Sequence, residues 1–160
     1  MEFLPNTDGI DHINVFSKSR SKLGRMLSNF AHTPVTINDD KFESVESWWY
    51  WTKMNNINSA SLFPIFTPEQ LEEIKTKIGK DAKMQFRELF KEDSDSFSPT
   101  KEELKVVYLQ KLLEHPEVEK TLMENKLPLT HYYMMFDKKV NADSTLWTAL
   151  LWEEIKAERL

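Results

Sequence analysis

The sequence predicts an α+β fold that is mostly helical and carries a small sheet. Several segments place apolar residues at helical spacing behind good capping residues. Short segments rich in β-branched or aromatic residues lie between them and indicate strands. No internal repeat is present. The sum is a mixed fold in which helices dominate.

The first part of the chain is expected to contain short strands and one helix. In chain order we expect a strand at 13–16, a basic loop to residue 24, strands at 34–37 and 41–43 around a turn at 38–40, and a helix from 45 to about 55. Ser44 is a good N-cap for this helix, and Ser47 is a weak partner for it. The turn is expected because Asn38, Asp39 and Asp40 separate the two strand segments.

The second part of the chain is expected to be mainly helical. We expect a loop at 55–67, helices at 68–79 and 81–91, a polar linker at 92–96, helices from 101 and at 116–125, a strand at 129–136 and a last helix over 146–155. Thr67 and Pro68 give a strong helix start, as N-cap and first helical residue. Thr100 caps the helix that begins at residue 101.

Length and composition indicate an ordinary globular protein. The chain has 160 residues, so we expect a single domain over 1–160, with 1–12 as an N-terminal extension. It contains no apolar run long enough to span a bilayer, no signal peptide and no cysteine. We therefore expect a cytoplasmic protein, or one of the host cytoplasm if it is viral, with no membrane association. Its oligomeric state stays open.

The charge is uneven along the chain. The formal net charge is −5, yet Lys18, Arg20, Lys22 and Arg25 follow one another without an intervening acid. A local basic segment in an acidic protein suits a discrete phosphate site better than a long duplex track. A solvated basic turn is the alternative.

Glu46 and Lys53 are expected to lie on one face of the helix that Ser44 caps. Seven residues of α-helix turn through about 700° and rise roughly 10 Å. Trp49 and Tyr50 fill the interval, which predicts a pocket for a sugar or a base between a carboxylate and an amine. Alternatively, Glu46 only favours the helix N-terminus through the macrodipole, and Lys53 reaches water from the end of an amphipathic helix.

Several motifs resemble the NADAR (NAD and ADP-ribose) family and its YbiA-like relatives. The resemblance covers roughly residues 13–158 and rests on Asn14-Val15-Phe16-Ser17-Lys18, Leu23-Gly24-Arg25-Met26-Leu27-Ser28-Asn29-Phe30, Thr33-Pro34, Ser44-Val45-Glu46, Trp49-Tyr50-Trp51, Ala82-Lys83 and Lys111-Leu112-Leu113-Glu114-His115-Pro116. The chain departs from the family at 134–140, where many members carry a Trp-Gly-Gly-rich loop.

The resemblance implies cleavage of an N-glycosidic bond at a ribose C1. We expect hydrolytic removal of ADP-ribose from guanine, in a nucleotide or in single-stranded nucleic acid, reversing a toxin-type modification. Two alternatives stay open. One is an N-glycosidase acting on phosphorylated ribosylaminopyrimidine intermediates of riboflavin synthesis, and the other is a module that binds ADP-ribose or an NAD derivative without cleaving it.

The resemblance also implies roles for individual residues. Glu46 would move protons and Lys53 or Lys18 would hold C1 covalently, with Lys83 competing for that role. The substrate-binding residues would be Arg20 and Arg25 on the pyrophosphate, Asn29 on the ribose, Trp49 and Tyr50 beside the base, and Lys83. We expect no metal and no cofactor, because the four histidines show no metal-ligand spacing.

Overall fold

A computed structural model describes residues 2–160, and the fold is α+β and mostly helical, as the sequence predicts. Within these residues the α-helices are α1 (Lys22–Leu27), α2 (Val45–Ala60), α3 (Pro68–Lys75), α4 (Lys80–Leu89), α5 (Lys101–Glu114), α6 (Pro116–Glu124) and α7 (Leu146–Glu158). The strands are β1 (Ile13–Asn14), β2 (Val35–Ile37), β3 (Asp40–Phe42), β4 (Leu129–Thr130), β5 (Tyr132–Met135) and β6 (Lys138–Asn141). No helix of this described part is long and apolar enough to cross a membrane.

The described chain forms two compact units. The central unit is Asn29–Glu114, and the terminal unit combines residues 2–28 with His115–Leu160. The central unit holds β2, β3 and α2 to α5, while the terminal unit holds the remaining elements. The single domain expected over 1–160 stays a prediction.

In the central unit the predicted hairpin is confirmed, with each strand shifted by about one residue. Strands β2 and β3 pair antiparallel, and Val35 lies opposite Phe42. Asn38 and Asp39 have φ angles of 50° and 70°. Asparagine and aspartate tolerate this left-handed conformation better than most residues do, and two such residues in a row make a tight hairpin turn.

Helix α2 is longer than predicted, because the asparagine-rich segment after Asn55, which predicts a loop, continues the helix. The helix continues past Asn55 to Ala60, and Ile57 lies buried in the core. The amide of Asn55 donates to the Trp51 carbonyl at 2.9 Å within the helix, and that of Asn56 donates to the Phe97 carbonyl at 2.9 Å. Burial of the apolar face and use of these amides therefore outweigh the weak helix propensity of asparagine.

The capping predictions for the later helices of the central unit are confirmed. The Thr67 hydroxyl accepts from the Gln70 N–H, and the Gln70 side chain accepts from the Thr67 N–H. Thr100 and Glu103 make the same reciprocal pair at the start of α5. Helix α3 ends at Lys75, earlier than predicted, and the expected linker contains a short 3₁₀ turn at Asp95–Phe97. The side chains that pack around α2 form one core cluster of Tyr50, Met54, Ile57, Phe66, Ile74, Ala82 and Phe86.

The sequence predicts a loop up to Gly24 in the terminal unit. This prediction is wrong, because part of that segment forms helix α1. The Ser21 hydroxyl caps this helix by accepting from the Gly24 N–H. Gly24 lies within this helix, where close packing requires a glycine. A Cβ at this position would lie 2.1 Å from the Asn14 carbonyl oxygen.

The strand predicted at 129–136 is also corrected. It divides into β4, which pairs in parallel with β1, and β5, which forms an antiparallel hairpin with β6. Phe136 and Asp137, with φ angles of 50° and 63°, make the turn of that hairpin. The strand β6 was missed because Lys138–Asn141 is mostly polar and Phe-Asp is not a common hairpin-turn pair.

Candidate active site

Ser44 positions the candidate site by joining the starts of two helices. Its hydroxyl accepts from the Ser47 N–H at 3.2 Å, and Ser47 returns a bond, so α2 begins with a reciprocal cap stronger than predicted. The same hydroxyl accepts from the Gly79 N–H at 3.1 Å, and Gly79 directly precedes α4. The first turns of α2 and α4 are thereby fixed together, which brings Glu46 near Lys83.

Gly79 is required for this junction. Its φ angle is 47°, and a Cβ there would lie 2.7 Å from the Phe30 carbonyl oxygen. Both the backbone conformation and the close approach therefore select glycine. The neighbouring carbonyl of Asn29 accepts from the Glu46 N–H at 3.0 Å, which fixes the first turn of α2 from the other side.

The carboxyl group of Glu46 is set to exchange a proton near neutral pH. Glu46 is partly buried, and desolvation raises the pKa of its carboxyl to about 7. Lys83, the hydroxyl of Tyr50 and Lys53 all act in the opposite direction by stabilising the carboxylate. A carboxyl group with this pKa can donate a proton and, once ionised, accept one.

Lys53 lies where the sequence places it, on the Glu46 face of α2, but it does not reach water from a helix end. The helix runs on to Ala60, and Lys53 is only 6% exposed. Its Nζ lies 5.7 Å from the ring centre of Tyr50 and 5.5 Å from that of Phe86. Desolvation lowers the pKa of its ammonium, while the carboxylates of Asp95, Glu46 and Asp93 oppose that change.

Lys83 and Arg87 extend the cationic side of the site from α4. Lys83 is partly buried, and its pKa is lowered by desolvation first and then by the positive charge of Arg87. Arg87 acts on Lys53 in the same direction. The guanidinium of Arg87 was not singled out from the sequence, although its spacing of four residues from Lys83 predicts that both occupy one helix face.

The aromatic residues between Glu46 and Lys53 are packed more tightly than predicted. Tyr50 is 8% exposed, and its ring stacks on Phe86 with centroids 4.9 Å apart. Trp49 is partly buried and packs against the same core cluster. The Tyr50 ring is therefore part of the core, while its hydroxyl stabilises the Glu46 carboxylate.

Asn29 has a structural partner in the central unit. Its Oδ1 accepts from the Tyr108 hydroxyl at 2.7 Å. This contact ties the Asn29 side chain to α5. The influence of Asn29 on the site described here runs through its backbone carbonyl, which accepts from the Glu46 N–H.

The basic segment lies in the terminal unit and is organised by a buried carboxylate. Asp8 accepts from the Ser19 hydroxyl at 2.7 Å and from the Arg20 N–H at 3.0 Å. The side chain of Arg20 donates to the Asn6 carbonyl, and that of Arg25 donates to the Ser19 carbonyl at 2.7 Å. Lys18 is exposed. The site around Glu46 described above is built from residues of the central unit.

Neither of two surface depressions includes Glu46. One is lined by Pro68, Glu69, Glu72, Glu73 and Thr76, and the other by residues between Lys126 and Leu160. Among residues 2–160 no group of three or more histidine, aspartate or glutamate side chains is arranged to hold a metal ion.

Comparison with known proteins finds no family model, no curated protein and no solved structure that matches this chain. The resemblance to the NADAR family therefore stays a prediction.

Proposed function

We propose that this protein is an N-glycosidase that hydrolyses the bond between C1 of ADP-ribose and guanine, in a nucleotide or in single-stranded nucleic acid. The observation that carries the proposal is the grouping of Glu46 with Lys53 and Lys83 on two helices of one unit. Cleavage of a ribosyl C–N bond needs a proton for the leaving nitrogen and an activated water, and this group supplies both.

Glu46 would act first as an acid and then as a base. Its protonated carboxyl donates to the leaving nitrogen, and the electron pair of the C1–N bond goes to that nitrogen as the bond breaks. The resulting carboxylate takes a proton from a water molecule whose oxygen bonds to C1. The pKa near 7 supports both halves of this cycle at neutral pH.

A covalent route is open to substrates whose ribose ring opens to an imine. A neutral lysine amine adds to C1, the substrate amine leaves with the proton that Glu46 delivers, and water then hydrolyses the new imine. Lys83 suits this role better than Lys53, because it is more exposed and its pKa is also lowered. Lys53, which is nearly enclosed, would act on Glu46 by stabilising its carboxylate form.

Arg87 is the candidate anchor for phosphate in this site. It is exposed and shares a helix face with Lys83, and a guanidinium binds phosphate oxygens through paired donors. Arg20 and Arg25 were predicted for this task, but both already donate to carbonyl groups of the terminal unit. We therefore place Arg87 ahead of them for the pyrophosphate.

The packing of Tyr50 favours a second candidate substrate. A phosphorylated ribosylaminopyrimidine is smaller and needs no outward aromatic platform, and the Tyr50 ring is covered by Phe86. This substrate would use the same Glu46 chemistry with a single phosphate on Arg87.

Mass spectrometry with three substrates tests the proposal. ADP-ribosylated guanosine, a short single strand carrying the same modification, and the ribosylaminopyrimidine phosphate are incubated with the wild type, with Glu46→Gln and with Glu102→Gln. Glu102 is an exposed glutamate of α5 and serves as the matched control. We expect release of ADP-ribose by the wild type and the control, and a loss of about 10²–10⁴-fold in turnover for Glu46→Gln.

The outcomes separate the candidates. Turnover of the pyrimidine substrate alone would move the assignment to the second candidate. Binding of ADP-ribose with no turnover of any substrate would identify a non-catalytic reader. Equal turnover by the wild type and Glu46→Gln would contradict the role of Glu46.

A further inference from the structure

The loop between α2 and α3 presents apolar side chains to water. We call Leu62–Ile65 the apolar loop. Leu62 is 93% exposed, Phe63 is 76% exposed and Ile65 is 50% exposed. Single exposed apolar residues are common, whereas three within four residues form a patch of the kind that marks interaction sites.

The apolar loop is held in one shape by hydrogen bonds at its base. The Asn58 side chain accepts from the N–H groups of Ile65 and Phe66, each at 2.9 Å, and donates to the Phe66 carbonyl at 3.0 Å. The Ser61 hydroxyl donates to the Ile57 carbonyl at 2.7 Å. The loop is therefore preorganised, which lowers the entropy lost when a partner binds.

Phe66 anchors the loop to the core. It is 2% exposed and lies against Phe86 and Phe90, with ring centroids 6.2 Å and 5.9 Å apart. The apolar sequence from Leu62 to Phe66 thus has one member that packs inside and three that face solvent. The three exposed side chains therefore belong to a loop of fixed conformation, because Phe66 anchors the loop to the core.

An acidic helix face adjoins the apolar loop in sequence. Glu69, Glu72 and Glu73 lie on one side of α3, where they line a shallow depression together with Pro68 and Thr76. Lys75 pairs with Glu72 at 2.8 Å and Lys77 pairs with Glu73 at 3.5 Å, so the negative charge is only partly offset. We call these three glutamates the acidic face.

We propose that the apolar loop and the acidic face together form a docking surface for a basic amphipathic helix of a partner protein. The apolar side of such a helix would cover Leu62, Phe63 and Ile65, and its lysines or arginines would meet the glutamates. Charge complementarity selects this occupant, because the acidic face repels anionic membranes and nucleic acids. A second copy of this chain, with its net charge of −5, is a poorer fit.

Binding of a designed peptide tests the surface. The probe is a fluorescein-labelled amphipathic helix of about 18 residues built from leucine and lysine, with a control in which every lysine is glutamate. Fluorescence anisotropy is measured for the wild type, Phe63→Ser and the double variant Glu69→Gln/Glu72→Gln. We expect binding of the basic peptide only, weakened about tenfold by Phe63→Ser and severalfold by the double variant.

Matched controls are available elsewhere on the chain. Leu113→Ser removes another exposed apolar residue, and Glu102→Gln removes another exposed carboxylate. Neither should change binding, and thermal melts establish that all variants are folded. Equal binding of the basic and acidic peptides, or loss of binding in the controls, would overturn the proposal.

Two further measurements exclude other occupants. Sedimentation of the wild type and Phe63→Ser shows whether this surface joins two copies of the chain, and a dimer lost in the variant would overturn the proposal. Co-sedimentation with vesicles of anionic phospholipid tests whether this surface binds a membrane. Binding to vesicles that depends on Phe63, with none to the basic peptide, would likewise overturn it.

Discussion

The two units of this chain each carry a group of cations, and the surroundings of the two groups differ. In the terminal unit Arg20 and Arg25 are exposed, and they donate to carbonyl oxygens of the same unit. In the central unit Lys53 and Lys83 are desolvated near a carboxyl group, and their pKa values are lowered. Clustering along the sequence picks out the first group, whereas burial beside Glu46 distinguishes the second group.

The difference teaches that burial, and not local charge density, selects the candidate for a reactive group. An exposed guanidinium keeps its charge and its hydration, so it binds anions but does not exchange protons. A lysine enclosed by aromatic rings is less stable as an ammonium, so a larger share of it is the neutral amine. Three comparisons of variants can break or sharpen this contrast, and the first has the largest expected effect.

Lys53→Met should lower the activity without lowering the stability. Methionine keeps the length and the apolar stem, and it removes a charge that burial disfavours, so unfolding should be unchanged or shifted to higher temperature. Turnover should fall about 100-fold, which is about 2.7 kcal/mol in the barrier. Steady-state kinetics and thermal melts on the same preparation measure both.

Arg25→Gln is the counterpart in the terminal unit. The glutamine amide can still donate to a carbonyl group, and we expect turnover within about threefold of the wild type, a difference of about 0.7 kcal/mol. A loss as large as that of Lys53→Met would abolish the distinction between the two cation groups.

Gly79→Ala tests the junction that brings α4 to Glu46. The added Cβ meets the Phe30 carbonyl at 2.7 Å, and the φ angle of 47° disfavours alanine. We expect a loss of about 2–3 kcal/mol in the free energy of unfolding, together with reduced activity because Lys83 moves with the helix.

Gly9→Ala in the terminal unit is the matched control for this change. Gly9 has a φ angle of 90°, but the nearest atom to its Cβ is 3.6 Å away, so only the conformational cost of about 1 kcal/mol applies. Urea denaturation of both variants measures the difference. Equal losses would show that the contact with Phe30 does not restrain α4.

The smallest expected effect is a pH dependence of the free energy of unfolding that comes from the Glu46 carboxyl. The folded carboxyl keeps its proton up to about pH 7, whereas the unfolded one loses it near 4.5. Between these values the folded state binds more protons, so the stability contribution of Glu46 falls as pH rises. Glu46→Gln removes this loss, so its stability relative to the wild type should rise by about 2 kcal/mol between pH 5 and pH 8.

Denaturant unfolding at the two pH values checks this, with Glu102→Gln as the control that should show no such gain. A constant difference between Glu46→Gln and the wild type would mean that the Glu46 carboxyl titrates near its usual value.

Local interactions let the sequence determine much of the secondary structure. The caps at Ser44, Thr67 and Thr100 and the Asn38–Asp39 turn involve residues at most three apart, so their hydrogen bonds follow from residue type and spacing. The shared face of Glu46 and Lys53 follows in the same way from the helical repeat.

Tertiary structure decided what distant residues contribute. The approach of α4 to Glu46 depends on the Ser44–Gly79 hydrogen bond, which spans 35 residues, and the parallel pairing of β1 with β4 joins the two ends of the chain. Helix α1 and the end of α2 were misjudged because glycine and asparagine are weak helix formers whose cost is repaid by packing that the sequence does not display. The sequence by itself thus determined which chemical groups α2 carries, and only the tertiary structure decided their burial and their partners, because desolvation depends on every element packed around them.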